Sequence, residues 1–291
     1  TFKGLSENMG QVMDIFEDLV ANAQGDEEML ANYKADLLKT RADNKLNQEA
    51  NFAALQRFAF FGGEAIQRTT LNNEQLEALT SDVLIGKVRD LLKKQHTILY
   101  NGPKDKAGLL ADLKAHHQTP EVLEPLTRGN IAFQPTEQNK VCLANYNAPQ
   151  LYFLQYSNLG KKFDVAVDPA QKLYNEYNSG SMGAIVFQEM RESRSLAYMA
   201  FTEWINPSYL DDNYLFAAII ATQNDKMAQA IDAFDEIINN MPESEAAFKL
   251  AKEAVLTNLR TSRTIKDEVL FIYIAIKYLC VTEDPNNSIF V

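Results

Sequence analysis

Apolar residues recur along this chain with two periods. Leu5, Met9, Val12, Phe16 and Leu19 follow one another at intervals of three and four and fall on one helix face. Met227, Ile231, Phe234 and Ile238 do the same far downstream. Each helix runs into an Asn-containing turn, "ANAQGD" with Gly25 and "NNMPES" with Pro242 as the breakers. A second and a third helix follow in both places, the third being "EANFAALQRFAFFGG" and "IKDEVLFIYIAIKYL". "LNNEQLEALTSDVLIGKVRDLLKK" and "KDKAGLLADLKAHH" also carry helical periods, and "HTILYNGP" reads as a strand closed by a turn. Between the two helical regions lie "KVCLANY", "QLYFLQYS", "LAYMAFTEW" and "NYLFAAIIAT", which read as strands. Two helices, "PAQKLYNEYNSG" and "GAIVFQEMRES", interrupt them. Strands grouped this way, without strict βαβ alternation, predict an α+β fold with helices packed on an antiparallel-rich sheet.

The two helical regions are copies of one pattern. "MGQVMDIFEDLVANAQGDEEMLANYKADLL" from Met9 aligns without gaps on "MAQAIDAFDEIINNMPESEAAFKLAKEAVL" from Met227, an offset of 218 residues. Identical pairs include Asp14/Asp232, Phe16/Phe234, Glu27/Glu245 and Lys34/Lys252; Leu19/Ile237 is a similar pair. The offset exceeds the period of about 20–50 residues found in solenoids and fits a duplicated domain. The expected organisation is the helical back part of one domain over 1–118, a Pro-containing linker over 119–139, and most of a second domain lacking its last strand over 140–291. The chain then reads as a piece of a longer polypeptide.

Composition narrows the function. A formal charge of −11, spread over helical segments, argues against a nucleic-acid partner, which needs clustered Lys and Arg. Cys142 and Cys280 sit among apolar residues and read as buried free thiols, with one disulfide left open. "TFKGLSEN" has neither the basic nor the apolar region of a signal peptide, which leaves periplasm and cytoplasm both open. The run 269–281 is interrupted by Lys277 and falls short of the ~20 residues of a membrane span.

The segment "NSGSMGAIVFQEMRESRSLAYMAFTEW" (178–204) resembles the insulinase/pitrilysin (M16) family of zinc metallopeptidases, which includes mitochondrial processing peptidase and core subunits of the cytochrome bc1 complex. The family pattern is a Gly- and Ser-rich turn, then roughly R-L-F-x-x-L-R-E-x-x-G-L-A-Y, then a strand. Phe187, Arg191, Glu192, Leu196, Ala197 and Tyr198 fit it. Arg194 and Ser195 stand where Lys or Arg followed by Gly is common, so the usual Gly is absent. "GLSENMGQVMDIFEDLV" and "HTILYNGP" also look like family segments.

The resemblance implies an M16-type fold and, in the catalytic domain, an H-x-x-E-H helix. There two His bind zinc, the Glu is the general base, and a Glu on a later helix completes the site. This chain has three histidines. His96 opens "HTILY", and His116 and His117 are adjacent at a helix end, where interaction with the helix C-terminus is the simpler reading. The later Glu would fall near Leu38–Arg41 or Leu256–Leu259, where the chain has "LKTR" and "LTNL". No metal ligand and no catalytic residue is therefore expected in this chain, and zinc is expected in a catalytic domain of the parent protein. Arg191 and Tyr198 match an Arg/Tyr pair that some family members direct across the chamber at the substrate. A guanidinium and a phenol can hold a carbonyl or oxyanion there.

The implied function is a non-catalytic segment of a zinc metalloendopeptidase. It would wall the chamber and orient peptide or protein substrate, partnered by a catalytic domain of the same polypeptide or of another subunit. The alternatives are a purely structural module and a peptide-binding protein that adds a strand to its sheet edge.

Overall fold

The computed structural model describes residues 3–126, 129, 131–263 and 265–280. Parts of the expected linker and the end of the second copy, 281–291, lie outside the described residues. The chain forms two compact units. One comprises 1–46 and 64–131, the other 47–63 and 132–291. Residues 47–63 pack with the second unit.

The first unit is helical: α1 (Met9–Asn22), α2 (Glu27–Asn44), the end of α3 (Gln48–Thr69), α4 (Asn73–Ala78), α5 (Ser81–Asp90) and α6 (Lys106–His116). Asp26 caps α2 by accepting from the Met29 amide at 2.9 Å. Much of the unit is stitched by polar groups. The Glu27 carboxylate accepts from the Ser81 amide and hydroxyl, both at 2.8 Å, and these bonds hold its pKa below the usual carboxylate value. Arg41 donates to Asn73 Oδ1 at 2.6 Å and to the Leu71 carbonyl at 2.9 Å.

"HTILYNGP" does not form a strand. Among the described residues of this unit the only β pairing is one parallel bridge, Lys94 to Glu124, so no strand lies beside the segment to form a ladder with it.

The second unit holds a three-stranded antiparallel sheet in the order β1 (Gln150–Lys162), β3 (Asn213–Gln223), β2 (Met199–Ile205). Register places Phe153, Ile220 and Ala200 side by side, and Tyr152, Ala221 and Met199 beside them on the opposite face. On the first face lie α7 (Asp168–Ser179), α8 (Ile185–Phe187) with its π-helical extension Gln188–Ser193, and α9 (Met227–Asn239). Val186, Met190, Phe234 and Ile237 are buried there with Ala218 and Ile220. α10 (Glu245–Thr261) adds Ala251, and α11 (Lys266–Tyr278) follows.

On the other face Phe52 meets Tyr152 at 5.1 Å between ring centroids, and Phe60 meets Tyr156 at 4.6 Å. Both phenylalanines come from α3 before its break at Gly62, where φ is 75° and ψ 172°. Only glycine adopts that conformation freely. Gln134 covers the break: its amide donates to the Phe60 carbonyl at 2.7 Å and its side chain to the Phe61 carbonyl at 3.2 Å.

"KVCLANY" lies outside the sheet, with Val141 and Leu143 strongly exposed, because no strand flanks it. Cys142 and Cys280 are free thiols, half-buried and exposed respectively. The expected burial fails because Cys142 sits in that segment outside the sheet and Cys280 follows the end of α11. No helix of the described residues is long and apolar enough to cross a membrane.

Candidate functional site

The segment 185–198 turns the chain from helix into strand. α8 makes a single turn, then widens into the π-helical turn that carries Arg191. Arg194 ends the turn and locks it, with Nη1 on Glu236 of α9 at 2.8 Å and Nη2 3.6 Å from Glu189. The next residue, Ser195, has φ of 52°. This left-handed conformation is the physical reason a glycine suits the position, and Ser195 adopts it with Lys226 Nζ on its carbonyl at 3.1 Å. The Met190 carbonyl then accepts from the Leu196 and Ala197 amides, and the Tyr198 amide donates to the Ala221 carbonyl of β3 at 3.1 Å. Buried Leu196 and Ala197 fix the backbone, and Tyr198 emerges at the surface.

Arg191 and Tyr198 are both half-exposed, at 54% of the side chain and 47% of the residue. Their contacts run to different groups. The Arg191 guanidinium lies 5.0 Å from the centroid of the Phe187 ring and 3.8 Å from Glu192. The Tyr198 hydroxyl donates to the Tyr152 hydroxyl at 3.3 Å, which donates to Glu49 Oε1 at 3.5 Å. The hydrogen bond with Tyr198, and then burial, push the Tyr152 phenol up to about 12. No local sequence signal marks Tyr152 or Glu49. Their link to Tyr198 depends on β1 and β2 flanking β3 at Ala221, a long-range register no local signal carries.

A groove of about 530 Å3 opens between α7, β2 and α10. Lys172, Asn175 and Glu176 form its α7 wall. Asn258 and Leu259 line the α10 wall, in the stretch where the resemblance would place the later Glu. These α7 side chains serve the strand. Asn175 accepts from the Trp204 amide at 2.9 Å and donates to its carbonyl at 3.0 Å; Ser179 Oγ accepts from the Thr202 amide at 2.8 Å. Gln171 adds a bond to the Trp204 carbonyl at 2.8 Å. The outer edge of β2 is thereby capped from Thr202 to Trp204, as sheet edges commonly are. Lys172 pairs with buried Asp168 at 2.6 Å.

Among the described residues no three His, Cys, Asp or Glu side chains gather into a metal cage. The adjacent histidines point apart, as neighbours on a helix do. His116 Nδ1 meets Asp14 at 2.8 Å and His117 Nδ1 meets Glu17 at 2.5 Å, so both tie α6 to α1.

No family model and no curated protein matches the sequence. Solved structures do. The M16 peptidase inactive domain from Pseudomonas fluorescens matches over 95% of this chain with a TM-score of 0.61 and 15% identity, and this chain spans 66% of that one. The ferredoxin protease FusC, solved in complex with Arabidopsis ferredoxin, matches over 97% of this chain at a TM-score of 0.69 and 12% identity; this chain spans 32% of it. A protease from Helicobacter pylori matches over 98% of this chain and 71% of its own, at 0.62 and 12% identity. At these identities the shared property is the fold, and the α+β fold of this chain is that of the M16 peptidase inactive domain.

Proposed function

We propose that this chain is a non-catalytic part of an M16-type zinc metalloendopeptidase. It forms chamber wall and presents Arg191 and Tyr198 to a peptide held at a zinc site in another domain of the parent protein. The observation that carries the reading is the pairing of a locked backbone with exposed polar ends. Arg194, Ser195 and the buried Leu196–Ala197 pair fix the segment, while the Arg191 guanidinium and the Tyr198 phenol reach solvent half-exposed. Groups held this way act on a developing oxyanion without reorganising, and one such donor is worth about 2.7–4 kcal/mol in a transition state. The ferredoxin complex of the FusC protease supports a protein or peptide as the substrate.

The test is peptidase activity of the full parent protein as wild type, Arg191→Ala and Tyr198→Phe, with zinc content measured on the same samples. The expected result is a drop in kcat/KM of at least about tenfold, or about 1.4 kcal/mol, with zinc retained. Unchanged turnover would make the segment scaffold. That second reading draws on the intramolecular partners of both side chains, Phe187 and Glu192 for one and Tyr152 for the other. Strand addition at β2 is disfavoured by the Asn175, Ser179 and Gln171 caps.

A further inference from the structure

The first unit places two imidazoles nose to nose. His96 Nε2 and His117 Nε2 are 2.8 Å apart, with ring planes at 80°. The far nitrogen of each ring is already committed. His96 Nδ1 lies 2.8 Å from the Lys94 carbonyl, and His117 Nδ1 lies 2.5 Å from the Glu17 carboxylate. A carbonyl and a carboxylate only accept, so both Nδ1 atoms carry hydrogen. Each Nε2 then presents a lone pair to the other, and two lone pairs at this distance require a cation between them. One candidate is a proton, which makes one ring an imidazolium; the other is a metal ion.

We propose that His96 and His117 form a two-imidazole site for a borderline transition-metal ion of the Cu2+ or Zn2+ type, with water completing the coordination. Four features favour it. Neutral imidazoles suit these ions, and Cu2+ binds most tightly in the divalent series. Metal-bound histidines regularly donate the other ring N–H to a carboxylate or a backbone carbonyl, and both kinds of anchor are present here. The anchors are fixed: Lys94 is held by the bridge to Glu124, and Glu17 with the His117 side chain is largely buried between α1 and the end of α6. His96 is exposed, which leaves an open side for water and an approach for the ion. Bonds of about 2.0–2.1 Å at a tetrahedral angle set the two nitrogens about 3.3 Å apart, so the rings must part by roughly half an ångström and swing off their head-on line, which the exposed His96 can supply. The metal ion takes the place that a shared proton would otherwise fill between the two nitrogens. His116 takes no part, because its ring is directed at Asp14 and packs over Gly10. The inference does not rest on the proposed protease role.

The experiment uses the full chain with Cu2+ alone and Zn2+ alone. Calorimetry gives affinity and proton release, and electron paramagnetic resonance of the Cu2+ sample counts the coordinating nitrogens. The expected result is one ion per chain, with a two-imidazole nitrogen pattern. His96→Ala and His117→Ala each lower affinity at least tenfold, Glu17→Gln lowers it by about 10–100-fold, and His116→Ala leaves it unchanged. Far-UV circular dichroism checks each variant. If His117→Ala unfolds, the surface variant His96→Ala and the wild-type nitrogen count decide. Absence of stoichiometric uptake, or uptake unaffected by His96→Ala, overturns the proposal and leaves a shared proton as the only occupant.

Discussion

Two stretches of this chain run in the same register and end differently. α1, α2 and α3 begin at Met9, Glu27 and Gln48; α9, α10 and α11 begin at Met227, Glu245 and Lys266, each 218 residues later. The capping residues obey the same offset, Asp26 for α2 and Ser244 for α10. Burial does not follow. Phe234 is 1% exposed and its counterpart Phe16 is 37% exposed; Ile237 is 1% and Leu19 62%. The difference is the sheet. α9 lies on β3, where Ala218 and Ile220 receive its apolar face, whereas α1 packs against α5 and α6 in a unit whose described residues form no sheet. An amphipathic pattern names the face a helix wants covered. Only a partner of matching shape covers it.

The largest effect follows from that contrast. Ile237→Ala removes a fully buried side chain against a packed sheet and is expected to cost about 2–5 kcal/mol through lost transfer energy and a cavity. Leu19→Ala, at the matching position, is expected to fall within about 0.5 kcal/mol of wild type, as surface changes do. Urea unfolding followed by circular dichroism compares the two. Equal costs would mean that the α1 face is covered in solution.

A second pair sharpens the comparison at the backbone. Gly62 and Cys280 are related by the same offset, and both have positive φ, 75° and 53°. The repeat therefore preserves a left-handed residue while changing its chemistry. Gly62→Ala is expected to destabilise by about 1–3 kcal/mol, since φ 75° with ψ 172° suits only glycine and a Cβ there would sit 3.0 Å from the Gln134 side chain. Cys280→Gly is expected to go the other way. It relieves the ~1–2 kcal/mol of a left-handed non-glycine residue, less the entropy glycine loses on folding, for a net gain below about 1 kcal/mol. Thermal unfolding of both variants reads the signs, and a stabilised Gly62→Ala would remove the argument.

Much of this was legible in the chain. The helical periods, the 218-residue register and the strands β1, β2 and β3 follow from local patterning, because apolar spacing and breakers act over a few residues. What failed was the fate of "HTILY" and "KVCLANY". Both alternate well enough to be strands, but a strand exists only if a neighbour takes its hydrogen bonds, and that is settled elsewhere in the chain. The site divided the same way. Arg191 and Tyr198 could be named from a local motif. Tyr152 and Glu49 behind Tyr198, and His96 opposite His117, join residues far apart in sequence and became visible only in space.

The smallest effect sits on the sheet of the second unit. The Tyr152 phenol is pushed up to about 12 from its usual 10, chiefly by its hydrogen bond with Tyr198 and then by burial and the nearby Glu49 charge. Between pH 10 and 12 the unfolded chain gives up this proton while the folded chain keeps it, so the unfolded state binds fewer protons and stability falls as pH rises. The contribution is fully present below pH 10 and is lost as pH climbs through the folded value. It is small, because Tyr152 lies near the surface and solvent screens it. Burial also pushes up the phenols of Tyr156, Tyr174 and Tyr214, so ultraviolet titration is expected to show several late-titrating tyrosines, Tyr152 among them. Tyr198→Phe should move Tyr152 back toward 10, and Glu49→Gln should move it less, since the carboxylate is the weaker cause. A titration unchanged by Tyr198→Phe would mean that the two hydroxyls do not meet, and that Tyr198 reaches the surface without Tyr152 to orient it.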